Sequence, residues 1–232
     1  MKKEGKEVIV VSLGGSLIIP DDVNISLLEK FRKVLLKNTK KYRFIVVCGG
    51  GSIARKYIRG LRESGAGTDF QGFAGIAATR TNARFMSYFF RYNQEMGIPH
   101  TMKTIRNYLK NRDIIFCGAL EYKQNQTSDT TSAEVAAALK CKFINLTDVP
   151  GLYNKNPKKH RDARFIPEIS WKDFDKMASK IKFEPGQHFV LDQTASKIIM
   201  KHRIKTYILG GDMSQLDNLL NGKKFKGTVI SG

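Results

Sequence analysis

The stretch IVVCGGGSIARKY, Ile45–Tyr57, runs an apolar strand pattern straight into three glycines and then into a basic helical pattern. Glycine reaches positive φ and has no Cβ, so a turn built from it lets an anion approach bare backbone N–H groups. A helix that starts just after such a turn points the positive end of its dipole at the same place. The plainer alternative is a tight strand-to-helix turn that binds nothing. A second turn of this kind, SLGGS (Ser12–Ser16), closes the preceding apolar run. Two such turns after the first two strands favour phosphate binding over turn-making alone. Neither has the Gly-Lys-Ser/Thr ending of a Walker loop or the Gly-x-Gly-x-x-Gly fingerprint of dinucleotide sites.

Working outward, strand-like runs recur at Val8–Leu13, Phe44–Cys48, Ile114–Cys117, Phe143–Leu146 and Thr206–Leu209. Most are too uniformly apolar to have a wet face, which predicts burial on both sides. Between them, Ile25, Leu28, Phe31 and Leu35 fall at three- and four-residue steps, and helical patterns cover Ile53–Leu61, Ile76–Phe90, Ala133–Leu139 and Ala195–Met200. Alternating strands and helices predict an α/β fold, a largely parallel sheet covered by helices on both faces. The polar segment Asn154–Ile169, with two prolines, reads as a long surface excursion.

The chain has 232 residues, 41% of them hydrophobic, which suits a globular core and excludes disorder. Its 40 Lys and Arg against 21 Asp and Glu leave a formal charge of +19. The basic residues are spread over Lys30–Lys41, Arg55–Arg62, Lys155–Arg164 and Lys223–Lys226 with no interleaved aromatics, so a nucleic-acid platform is not favoured. Cys48, Cys117 and Cys141 stand far apart and are odd in number, which points to the reducing cytoplasm rather than a disulfide framework. The opening MKKEGKEVIVVSLGG has too short an apolar run for a signal peptide or membrane span and reads as a first strand. His100, His160, His188 and His202 are too scattered for a metal site.

In an open parallel sheet, ligands gather beyond the carboxyl ends of the strands. Two further loops fall there. In NQTSDTTSAEVAAAL, Ser128 or Asp129 caps an alanine-rich helix, and the same run of small hydroxyls and amides suits a magnesium-bound phosphate. In INLTDVPGLYNKNP, a strand ends at Thr147-Asp148 and turns at Pro150-Gly151, which leaves Asp148 and Tyr153 without a turn-making reason.

Taken in order, SLGGS, VVCGGGSIARKY, GIAATRTNA, SDTTSAEVAAAL, LTDVPGLY and VLDQTASKII resemble successive motifs of the amino acid kinase superfamily and, within it, of archaeal-type uridylate (UMP) kinases. The resemblance covers nearly the whole chain. It implies a three-layer αβα sandwich as a single domain over residues 1–232, MgATP as phosphoryl donor, UMP as acceptor, and a homohexamer built as a trimer of dimers. Carried over, it puts Ser12, Gly14, Gly15, Ser16, Gly51 and Arg55 on the donor phosphates and Thr147, Tyr153 and Asn156 on the base and ribose of ATP. Gly50, Asn125, Gln126, Thr127 and Ser128 would face the acceptor's phosphate, with Asp69, Gly72 and Arg80 also on UMP. Asp129 and Arg55 would be catalytic, and Mg2+ would bind through the phosphates, with Asp129 as its candidate protein ligand.

The chain also departs from the family pattern. Ser12 stands where many members have lysine, Gly72 where the acceptor-binding Asp is usual, with Asp69 three residues earlier, and Pro150 where an Asp is usual. Two competing readings follow. One is a kinase of the same superfamily with another acceptor, to which Gly72 adds weight and TRTNA (Arg80, Asn82) takes it away. The other is a catalytically silent nucleotide- or RNA-binding relative, suggested by Ser12 and the charge.

Overall fold

The computed structural model describes residues 5–92, 97–121, 127–180 and 190–232. The chain opens with β1 (Glu7–Leu13), α1 (Gly15–Ile18), α2 (Ile25–Asn38), β2 (Tyr42–Cys48), α3 (Gly51–Glu63) and α4 (Thr68–Phe89). It continues through α5 (Met102–Tyr108), β3 (Ile114–Cys117), α6 (Ser128–Leu139) and β4 (Lys142–Leu146). A small hairpin of β5 (Leu152–Tyr153) and β6 (Phe165–Ile166) leads to β7 (Glu168–Ile169), α7 (Trp171–Ala178), α8 (Gln193–His202), β8 (Thr206–Leu209), α9 (Met213–Leu220) and β9 (Thr228–Ile230).

Among the described residues the main sheet has seven strands in the order β3-β2-β1-β4-β8-β9-β7. β1 pairs in parallel with β2 on one side and β4 on the other, with Leu13 opposite both Cys48 and Leu146. The chain therefore fills one side of β1 first and then crosses to the other, which opens a crevice at the carboxyl ends of β1 and β4. β8 and β9 are the antiparallel neighbours, and β7 returns to parallel.

Side chains alternate across each strand, so two cores form. Ile9, Val11, Leu13, Phe44, Val46 and Phe116 pack with α2, α4 and α9 on one face. Val10, Ile45, Val47, Ile115 and Phe143 pack with α5, α6, α7 and α8 on the other. This is the expected αβα sandwich, with both faces of the central strands buried. Ser12 shares the register of Val10 and so lies on the α6 face, while Asn145 sits there on β4 and donates to the Val190 carbonyl.

Three expectations shift in detail. α4 begins at Thr68, eight residues before the predicted Ile76, because Gly72 and Gly75 break the apolar period. A Cβ on Gly75 would lie 3.5 Å from Ile58 of α3, an ordinary contact, so the packing of the two helices does not itself demand glycine there. α5, α7 and α9 carry good N-caps in Thr101, Ser170 and Asp212 but periods too short to stand out in the sequence. The excursion 154–169 is polar over most of its length, yet its end supplies β6 and β7.

The two glycine turns meet backbone to backbone. A Cβ on Gly15 would collide with Gly51 N, and one on Gly49 with Gly15 N. Gly51 also sits at φ +61, where an L side chain is strained, and a Cβ there would come 2.6 Å from the Gly15 carbonyl. Gly49→Ala is expected to destabilise the protein by about 2 kcal/mol or more, since the contact is with backbone and cannot relax by rotamer change. Gly60, inside α3, has nothing within 4 Å of an added Cβ. Gly60→Ala should therefore stabilise by about 0.5–1 kcal/mol, and urea denaturation of both variants checks the contrast.

Candidate active site

Four amides surround the junction of the glycine turns. Those of Gly15, Ser16, Gly50 and Gly51 donate to no protein acceptor among the described residues, whereas their neighbours are tied down. Gly14 N donates to the Leu146 carbonyl at 2.9 Å, Gly49 N to Leu13 at 2.9 Å, and Ser52 N to Ile19 at 3.0 Å. The N-cap of α3 is Gly50, which has no side chain to satisfy the helix start. Unpaired donors at helix starts, held by rigid neighbours, suit the oxygens of a phosphate.

Opposite them lies the start of α6. Ser12 is fully buried at the end of β1, and its hydroxyl donates to Asp129 Oδ1 at 3.0 Å. Asp129 occupies the first turn of α6, capped by Thr127, whose Oγ1 accepts from Asp129 N at 3.1 Å. Burial of the carboxyl, and after it the Asp192 carboxylate nearby, push Asp129 up to about 7, while the Ser12 hydroxyl pulls it down.

Asp192 ties this corner together. It caps α8 by accepting from Ala195 N at 2.8 Å, takes the Thr130 hydroxyl at 2.9 Å, and also receives the Thr127 hydroxyl. In the sequence it lay within VLDQTASKII, one of the stretches that carry the family resemblance, and was not singled out. The connection to Thr127 and Thr130 is made only by the packing of α6 on α8.

The structure brings Ser12, Gly14, Gly15, Ser16, Gly50, Gly51, Thr127, Ser128 and Asp129 to the same end of β1, β2 and α6. Thr147 follows directly at the end of β4, its N–H donating to Leu209 at 2.9 Å. Tyr153 stands in β5 with its ring 5.4 Å from that of Phe165, and Asn156 Oδ1 accepts from Lys158 N at 2.9 Å. Lys158 pairs with Asp148, which links this excursion back to the end of β4.

Of the remaining residues singled out in the sequence, Arg55 and Arg80 have protein partners of their own. A Cβ at Gly50 would run into the Cβ of Ala54, one turn on in α3, so the start of that helix itself disfavours a side chain there, while Ala78 of α4 at 3.6 Å would be in ordinary contact. Arg55 is exposed on α3 and donates to the Pro20 carbonyl at 2.9 Å, bracing the chain after α1. Asp69 lies in the first turn of α4 and Gly72 one turn on. Helical geometry aligns Asp69 with Arg80, about three turns away. Arg80 itself does not form a solvated face: Nε donates to the Ala119 carbonyl at 3.0 Å and Nη2 to that of Leu120 at 2.6 Å. Asn125 and Gln126 lie outside the described residues.

Among the described residues no group of three or more His, Cys, Asp and Glu could cage a metal. The donor set fits magnesium nonetheless, because that ion keeps waters and substrate phosphates and asks the protein for only one or two carboxylates. Asp129 is such a carboxylate.

The model of the amino acid kinase family matches residues 7–210. The chain belongs to this family. Within it, the chain is similar to the uridylate kinase of Thermoplasma volcanium, 32% identical over 223 residues, 94% of either chain. The uridylate kinase of Methanobrevibacter smithii is 31% identical over 225 residues, 96% of this chain and 99% of its own. The crystal structure of uridylate kinase from Archaeoglobus fulgidus superposes with a TM-score of 0.82 at 30% identity, covering 96% of this chain and 99% of that one. The UMP kinase of Ureaplasma parvum, at 20% identity and a TM-score of 0.79, shares the fold.

The raised Asp129 carboxyl has a consequence in the ligand-free protein. An unfolded carboxyl titrates near 4, so between there and about 7 the native state binds more protons than the unfolded one. The contribution of Asp129 to stability is thus undiminished at low pH and falls as pH rises through that window. Relative to wild type, Asp129→Asn should gain stability between about pH 4 and about pH 7, which chemical denaturation at the two ends measures.

Proposed function

We propose that this protein is a uridylate kinase that moves the γ-phosphoryl group of ATP to UMP. An oxygen of the UMP phosphate attacks the γ-phosphorus, the bond from that phosphorus to the β–γ bridging oxygen breaks, and UDP and ADP leave. The acceptor phosphate is anionic at neutral pH, so no general base is called for, and rate comes from alignment and charge stabilisation. The observation that carries this reading is the paired glycine turns with four unpartnered amides at the carboxyl ends of β1 and β2, facing Asp129. The near full-length similarity to proteins named uridylate kinase supports the choice of acceptor.

In this reading Ser12, Gly14, Gly15, Ser16 and Gly51 hold the donor's phosphates, with Arg55 at their edge. Thr147, Tyr153 and Asn156 line the base and ribose side. Gly50, Thr127 and Ser128 face the acceptor's phosphate, and Asp69 takes the place of the usual Asp at Gly72. Asp129 holds Mg2+, which supplies neutralising charge to the phosphates when bound. Ser12 keeps that carboxyl oriented. The organisation that goes with this function is one domain over residues 1–232, assembled as a homohexamer in the cytoplasm. Tyr57, Phe70 and Phe73, 57%, 64% and 51% exposed on α3 and α4, are apolar surface that such an assembly has room to cover.

An ADP-release assay with a panel of acceptors tests the reading. Turnover is expected with UMP and not with amino acid carboxylates. Turnover with another acceptor alone, or with none, overturns it. Asp129→Asn should lower kcat with UMP more than tenfold, about 1.4 kcal/mol in the barrier, with unchanged circular dichroism, and unchanged kcat removes Asp129 from the reaction.

A further inference from the structure

One turn of α4 grips the ends of two neighbouring strands. Asn82 is buried and its Nδ2 donates to the Gly49 carbonyl at 2.7 Å, at the end of β2. Thr79, also buried, accepts from Ala119 N at 3.0 Å through Oγ1, whose own proton goes to Ile76 at 2.7 Å. Arg80 adds the bonds to the Ala119 and Leu120 carbonyls. The approach is so close that a Cβ on Gly118 would lie 2.6 Å from Thr79 Oγ1 and 2.6 Å from Arg80 N. Gly49 in turn touches Gly15. A single helix face thus sets where the chain leaves β3 relative to the glycine turns after β1 and β2.

We propose that Thr79, Arg80 and Asn82 are positioning residues, and that Arg80 acts on the acceptor through the backbone of residues 118–120 rather than by touching it. This rests on the uridylate kinase reading for the identity of the acceptor. The guanidinium is suited to the task because its planar fork presents two N–H groups to two successive carbonyls, which a lysine ammonium on a flexible stem cannot reproduce. The hydroxyl of Thr79 is equally specific: it serves one amide as acceptor and one carbonyl as donor, so valine in its place leaves the Ala119 amide buried and unpaired. Asn82 joins the same unit to the turn shared with the donor side, so its loss should be felt by both nucleotides, and that of Thr79 or Arg80 by the acceptor.

The test is steady-state kinetics of the full chain for wild type, Arg80→Gln, Arg80→Lys, Thr79→Val and Thr79→Ser, varying each nucleotide at about 0.05 M and about 0.5 M salt. The two Arg80 variants are expected to behave alike. Both should raise KM for UMP about tenfold, leave KM for ATP within about twofold, and keep the wild-type salt dependence of KM for UMP. Thr79→Val should follow them and Thr79→Ser should restore the wild-type value. If Arg80→Lys matches wild type while Arg80→Gln flattens the salt dependence, Arg80 touches the phosphate and the proposal falls. It also falls if both KM values move together, as general loosening would make them. Hydrogen exchange at Ala119 separates this failure from that of the acceptor assignment. Should wild type use no UMP, faster exchange of that amide in Thr79→Val, about tenfold, still supports the clamp, and unchanged exchange overturns it.

Discussion

Everything at the working end of this fold depends on two glycine turns touching through their backbones. Gly15 and Gly49 lie so close that neither can carry a Cβ, and Gly51 adds a left-handed φ that only glycine holds without strain. That contact draws the ends of β1 and β2 together just where helices α1 and α3 begin, and leaves the amides of Gly15, Ser16, Gly50 and Gly51 side by side. The glycines serve packing first. The same contact holds those backbone donors where no protein acceptor among the described residues meets them.

Around that cradle, charge is arranged by a chain of hydroxyls. Ser12 on β1 reaches Asp129 on α6, Thr127 and Thr130 reach Asp192 at the head of α8, and α8 is thereby locked to α6. Asp129 and Asp192 stand on adjacent helices, and burial together with that neighbouring carboxyl pushes Asp129 up to about 7. The Ser12 hydroxyl bonds the Asp129 carboxyl without adding charge of its own.

Much of the architecture was legible in the order of residues. β1, β2, β3, β4 and β8 are mostly apolar on both faces, and a covered sheet is what buries such runs. The glycine turns were legible for the same local reason. α4 was read short because Gly72 and Gly75 interrupt its period, yet the helix runs through both from Thr68. β7 and β9 are two and three residues long and exist as strands only because a partner edge is present.

What local sequence could not carry was which groups meet. Asp129 and the glycine turns were identifiable as chemistry-bearing pieces from their own neighbourhoods. Arg80 read as a ligand or as a solvated charge; in the fold it is not a solvated charge, since its guanidinium donates to carbonyls some forty residues away. Asp192 was not singled out in the sequence, and in the fold it both caps α8 and ties it to α6. Backbone carbonyls leave no trace in residue identity, and contacts between distant segments depend on how the layers stack. Periodicity and turn chemistry therefore decided the elements, and close packing alone decided the pairings that make a site of them.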